Sequence, residues 1–249
     1  NADAADAIAP AVARGTIVCS LQNGVDNESF LGDRFPQATI VGGTSRIEAF
    51  VVSPGVVAQR GGQSELTLGA FAAADRPAAE RLGEAVEEAG IPLTVTDDIR
   101  AALWLKLVVI TGLGGVTAYA HGTIGDVLAD PELERLLRDV LAETDAVARA
   151  LGIAIPPGLP DTVRAYAEFQ LDRGFSSSMA RDVERGKPLE IEWLNGAVVR
   201  YGRQAGVPTP ANQRVLDALL PLHRAAMARR TAASSAGSVG DAASESQPA

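Results

Sequence analysis

The spacing of apolar residues changes character near Asp98. Before it, short apolar runs alternate with helical patterns; after it, only helical spacing is found. An Ala-rich amphipathic helix is expected over residues 2–13, and Thr16–Leu21 is a nearly unbroken apolar run of the buried, parallel-strand kind. A short helix over Glu28–Phe35 and a strand over Thr39–Gly43 follow. Arg46–Ser53 and Val56–Arg60 flank Pro54-Gly55 as a hairpin, with Glu65–Leu68 as a third member. Ala73–Ala89 carries Leu82, Ala85, Val86 and Ala89 at helical intervals and stops at Gly90. The hairpin makes the expected sheet mixed, parallel first and antiparallel at its end, and Pro92–Val95 reads as a short final strand.

Beyond Asp98, helices are expected over Ile99–Tyr119, Pro131–Leu151, Asp161–Arg173, Ser177–Arg185, Leu189–Ala205 and Pro210–Ala228, with turn-rich Gly152–Gly158 as a connector. Residues 231–249, rich in Ala, Ser and Gly, bury no core and are expected to be disordered. The fold class is thus α/β followed by all-α: a sheet domain over 1–97, a helical domain over 98–230 and a tail.

Composition narrows the function classes. The 249 residues carry a net charge of −9, with a pI near 4.8, which argues against a nucleic-acid partner. No apolar run is read as approaching the roughly 20 residues of a membrane span. The single Cys19 allows no disulfide within the chain, as suits a reducing cytoplasm. His121 and His223 lack acidic or Cys neighbours at ligand spacing, so no metal site is expected.

Three places draw attention as chemistry. Asn23-Gly24 follows the first strand, where ligands lie in open α/β sheets, although Asn-Gly also makes a simple tight turn. Lys106 sits among Leu103, Trp104, Leu107, Val109 and Ile110, either snorkelling to solvent or placed in a cleft. Ser178 and Asp182, four residues apart, share a helix face. Gly186 and Pro188 then break the helix and restart it, with Glu190 in the new first turn and Asn195-Gly196 inside. A glycine in mid-helix costs about 1 kcal/mol, which a close crossing or a ligand would justify. A solvated helix pair bearing surface charges accounts for the same residues.

The ordered set of motifs resembles the ketopantoate reductase family, whose members reduce 2-dehydropantoate to pantoate with NADPH. It comprises Ser-Ser-Met-x-x-Asp182, Gly186-x-x-x-Glu-Ile-x-x-x-Asn-Gly196 and Gly206-Val-Pro-Thr-Pro-x-Asn212. Gln22-Asn23-Gly24-Val25, Pro54-Gly55 followed by Gln59-x-Gly-Gly62, and Trp104-Leu-Lys106-Leu agree in order and spacing. The resemblance runs to about Arg230. It implies an incomplete Rossmann-type domain and a helical domain of the 6-phosphogluconate-dehydrogenase-like type, with cofactor and substrate in the cleft between them. It makes Lys106 the proton donor and Glu190 the residue that orients substrate or lysine. Ser178 becomes a ligand of the substrate carboxylate, Asn23 lies near both the nicotinamide ribose and the substrate, and Gly24 lies at the cofactor. Asp182 becomes a helix-face support, and Asn195 a packing or interhelical hydrogen-bonding residue. The implied cofactor is NADP(H), the partner a small 2-oxo acid and the location cytoplasmic, and the resemblance is compatible with a homodimer.

Two departures temper this. The chain begins with Asn1 and holds no Gly-x-Gly-x-x-Gly, so an N-terminally truncated fragment, inactive by itself, is expected. Ile110, Gly114 and Ile124 replace asparagines of the best-known form, with Thr111, Thr117, His121 and Arg46 as nearby polar substitutes. Reduction of another 2-oxo acid or ketone therefore stays open. So does a reading of a different class, a non-catalytic helical dimerisation or binding module.

Overall fold

The structure, a computed structural model, describes residues 2–242, with no side chain described at 48, 50, 60–64 or beyond 232. Its chain divides into two compact units. The first runs to Leu107 and takes in Gly152–Ile155; the second comprises Val108–Leu151 and the chain from Pro156.

The first unit contains α1 (Ala2–Ile8), β1 (Ile17–Ser20), α2 (Asn27–Arg34), β2 (Thr39–Ser53), β3 (Val56–Ala70), α3 (Arg76–Glu88), β4 (Leu93–Thr96) and most of α4 (Ile99–Val109). One sheet runs in the order β1-β2-β3-β4. β1 and β2 are parallel with Ile17 opposite Thr39, and β2 and β3 are antiparallel. Val41, Leu68, Ala78 and Ala79 form the core between sheet and α3, flanked by Ile17, Cys19, Leu66 and Leu82.

Two sequence expectations are corrected here. The hairpin and its third member are one ribbon of two 15-residue strands. Gly61 and Gly62 break the side-chain alternation without ending the strand, because ladder bonds come from the backbone. The sheet also ends parallel: Leu66 of β3 lies opposite Leu93 of β4. α3 carries the chain back across the sheet, the connection that parallel neighbours require. The unit boundary falls later than the loss of strand signals because α4 is tied to the ribbon. Ile99, fully buried, lies against Gly42 and Gly69, and Lys106 bonds to Ser45.

The 22 residues Ile99–Ala120 form one helix whose most apolar 18-residue window has mean hydropathy 1.7, long and apolar enough by length and composition to cross a membrane, contrary to the sequence reading. Of its most apolar 18-residue window, 67% is buried inside the protein, as in a core helix. A π turn, Ile110–Gly114, separates α4 from α5 (Gly115–Ala120).

The second unit adds α6 (Ile124–Ala129), α7 (Pro131–Ala150), α8 (Leu159–Phe169), α9 (Ser178–Glu184), α10 (Asn195–Ala205) and α11 (Pro210–Ala242). α7 begins at a Pro and is capped by Asp130, which accepts from the amides of Glu132 and Leu133 at 2.7 and 3.2 Å. It buries Leu137, Val140, Leu141, Thr144 and Val147. The short α6 was not anticipated, although Thr123 and Asp126 form its capping box. α10 starts at Asn195 rather than Leu189, because Leu194 has non-helical angles of φ −106 and ψ −95. Asn195 and Gly196 therefore open the helix instead of interrupting it. α11 runs on to Ala242, past the Arg230 at which composition placed the end of order, since alanine favours helix without a core to bury. The remaining part of the expected tail, 243–249, lies outside the described residues.

Candidate active site

In the first unit the chain leaves β1 and turns through Asn23 and Gly24 into α2. Gly24 has φ 106, a conformation that side chains disfavour. The Asn27 amide closes the turn by donating to the carbonyls of Asn23 at 3.0 Å and Gln22 at 3.4 Å. Asn23 itself is half-buried.

Glu28 follows, and its environment was missed by the sequence reading. It is 6% exposed, and neither carboxyl oxygen has a hydrogen-bond partner among the described residues. Burial pushes its carboxyl up to about 7; its own amide works against this, and Asp26 adds to it. Burial, then the charge of Glu28, push the Cys19 thiol up to about 11. No local signal could have marked Glu28, since a Glu in a first helical turn is ordinarily a solvated dipole partner.

Lys106 lies in the last turn of α4, half-buried, beside buried Leu103, Trp104 and Leu107. Its ammonium donates to the main-chain carbonyl of Ser45 on β2 at 2.9 Å. The side chain is therefore anchored on the ribbon rather than extended freely into solvent.

In the second unit the serine cluster divides into different environments. Ser177 is buried and caps α9, accepting from the amide of Ala180 at 3.0 Å and lying 2.8 Å from Thr117 Oγ1. Ser178, the first residue of α9, is exposed. Ser176 Oγ is buried without a hydrogen-bond partner among the described residues. Burial raises the Asp182 carboxyl against the lowering effect of Lys187, Arg185 and Arg181.

Three of the expected polar substitutes for the lost asparagines, Thr111, Thr117 and Arg46, are engaged elsewhere. Thr111 Oγ1 stands 3.2 Å from Thr144 Oγ1, and Thr117 bonds within its own helix and to Ser177. His121 ends α5 at φ 50, Arg46 pairs with Glu65 at 3.2 Å on the exposed ribbon, and Ile124 is fully buried.

Glu190 is exposed and stands in a turn, not in the first turn of a helix as its motif suggested. Its carbonyl accepts from the amides of Trp193 and Leu194 at 3.0 and 3.1 Å. Asn195 is fully buried and donates to Asn212 Oδ1 at 3.0 Å and to the Thr111 carbonyl at 3.4 Å. A Cβ on Gly115 would lie 2.7 Å from Asn195 Oδ1, so glycine permits this crossing.

The first unit thus holds Asn23 and Gly24 at the end of β1 and Lys106 against β2. The second holds Ser178 and Glu190 on separate segments. An open cleft of about 830 Å³ between α7 and α11 contains none of these residues. Among its charged walls, Arg214 pairs with Glu132 at 2.6 Å, and Glu143 caps α11 through the amides of Ala211 and Asn212 at 2.8 and 2.9 Å.

Residues 1–73 match the family described as Ketopantoate reductase PanE/ApbA, and residues 98–223 match its C-terminal counterpart. The 2-dehydropantoate 2-reductase of Halobacterium salinarum is 31% identical over 203 residues, covering 82% of this chain. This chain spans 66% of that relative's length. The crystal structure of a PanE/ApbA family ketopantoate reductase from Ralstonia eutropha JMP134 is 31% identical, with a TM-score of 0.80 over 90% of this chain and 72% of that one. D-mandelate dehydrogenase, solved with NADH and anilino(oxo)acetate, shares the fold at 20% identity, with a TM-score of 0.80 over 89% of this chain and 72% of its own.

Proposed function

The chain belongs to the ketopantoate reductase family, and from that premise we propose that the protein reduces the ketone of a 2-oxo acid with a nicotinamide cofactor. In its most concrete form the reaction converts 2-dehydropantoate to (R)-pantoate with NADPH, in the cytoplasmic synthesis of pantothenate. A homodimer belongs to the same reading.

The observation that carries it is Lys106. Hydride addition to a ketone builds negative charge on oxygen, which requires a proton and a nearby cation. Lys106 brings an ammonium, which can give a proton, into an apolar setting, and its bond to the Ser45 carbonyl at 2.9 Å fixes where that group points. In this reading it protonates the developing alkoxide. Glu190 orients the substrate or the lysine, and the exposed Ser178 hydroxyl takes the substrate carboxylate. Asn23 and Gly24 hold the nicotinamide end of the cofactor. Gly24 fits this role, because a residue with φ 106 and no side chain lets a ligand approach the backbone closely. Bound nicotinamide supplies the hydride.

A specific observation favours a second substrate. Thr111 and Thr117 are committed to hydrogen bonds inside the second unit, so the polarity lost at Ile110 and Gly114 is not restored by them. A 2-oxo acid with a bulkier apolar substituent suits such a wall better than one bearing a hydroxyl. D-mandelate dehydrogenase, whose fold this chain shares, has a ternary structure with NADH and the aromatic anilino(oxo)acetate. The test of the reading is NADPH consumption by the complete gene product over a panel of 2-oxo acids including 2-dehydropantoate; no turnover of any of them would overturn it.

A further inference from the structure

Pro188 has no amide hydrogen, so the first donor of the segment leading to Glu190 is the amide of Leu189. Leu189 is buried, 4% exposed, and a buried amide requires an acceptor. The acceptor is a side chain 34 residues further along the chain: Nδ1 of His223 on α11, at 2.9 Å. Because Nδ1 receives an N–H it carries a lone pair, which leaves the proton of the neutral ring on Nε2. Nε2 stands 3.6 Å from Glu192 Oε2, on the same segment. The next carbonyl, that of Glu190, accepts from Trp193 and Leu194, and Gly196 donates to Ile191. The main chain at Glu190 is therefore held from both sides, and on its N-terminal side by a histidine.

We propose that His223 is a positioning residue for Glu190: its Nδ1 fixes the Leu189 amide and so sets the direction in which the Glu190 carboxylate is presented. The proposal rests on the role given to Glu190 above. Two features separate it from the bland account in which His223 merely satisfies a buried amide. The bonded amide belongs to the residue immediately preceding Glu190, and the second ring nitrogen faces Glu192, so one imidazole addresses the turn on both sides of Glu190. Ligand spacing gave no sign of this role for His223, because the bond joins α11 to a non-helical segment 34 residues earlier.

The experiment uses the complete gene product and the best 2-oxo acid of the panel. His223→Phe removes the acceptor while keeping an aromatic ring, and His223→Asn places Oδ1 where Nδ1 stood. His223→Gln carries its oxygen one bond too far out. His223→Phe is expected to lower kcat/KM roughly fivefold or more, the worth of a misplaced hydrogen bond, and His223→Asn to restore it to within about twofold. In a Glu190→Ala background, His223→Phe is expected to add no further loss, because a residue acting through another is silent once the other is gone. Equal losses in both backgrounds would show a structural role only and overturn the proposal. If His223→Phe does not fold, His223→Asn against His223→Gln decides, and equal rates for those two overturn it as well. Glu190→Ala at the wild-type rate would instead sink the role assigned to Glu190, a separate failure read from a separate variant.

Discussion

Lys106 Nζ stands 2.9 Å from the carbonyl oxygen of Ser45, a bond that joins α4 to the middle of β2. The bond fixes where the ammonium points. In the complete gene product, Lys106→Ala is expected to lower both kcat and kcat/KM by about 10²–10⁴, the usual worth of a general acid. Steady-state kinetics on the folded variant checks this, and activity within about threefold of wild type would exclude a proton donor, since that is only ~0.65 kcal/mol of barrier.

The side chains at 110 and 114 make the substrate testable. With Ile110 and Gly114 in place and both threonines engaged, 2-dehydropantoate is expected to be outperformed by bulkier, more apolar 2-oxo acids. The comparison is of kcat/KM across the panel. Should 2-dehydropantoate be clearly the best, the departures are compensated elsewhere.

Glu28 predicts a pH dependence of stability. Its folded carboxyl is raised from an ordinary 4.5 to about 7, so the folded state keeps a proton that the unfolded state releases. Between these values the unfolded chain binds fewer protons, and stability falls as pH rises. At 1.36 kcal/mol per unit the loss is at most about 3 kcal/mol. Glu28→Gln removes this titration and is expected to be more stable than wild type near pH 8, with the difference fading towards about pH 4.5. Urea unfolding of both proteins across this range measures it; parallel curves would mean the carboxyl finds a partner.

Gly115 and Asn195 are expected to be coupled. Gly115→Ala puts a methyl 2.7 Å from Asn195 Oδ1 and 2.9 Å from Nδ2, and overpacking of this kind costs about 1–3 kcal/mol. In an Asn195→Ala background the same change should cost far less. Additive losses in denaturant unfolding would show that Asn195 moves aside freely.

The local pattern of apolar and polar residues determined most elements: the buried strand β1, α3 with its glycine stop, the Pro-initiated α7 and the hairpin turn at Pro54-Gly55. It also determined the order of motifs by which the family is legible, because those residues lie close together in sequence. Tertiary structure decided what depends on partners far along the chain. Strand pairing merged the ribbon and made β4 parallel, since ladder bonds belong to the backbone and not to side-chain rhythm. Packing buried Glu28 and committed the hydroxyls of Thr111 and Thr117, although each residue type by itself reads as a surface or substrate-facing group. The approach of α11 made His223 the acceptor of the Leu189 amide, and no spacing along the chain encodes which buried donor meets which acceptor.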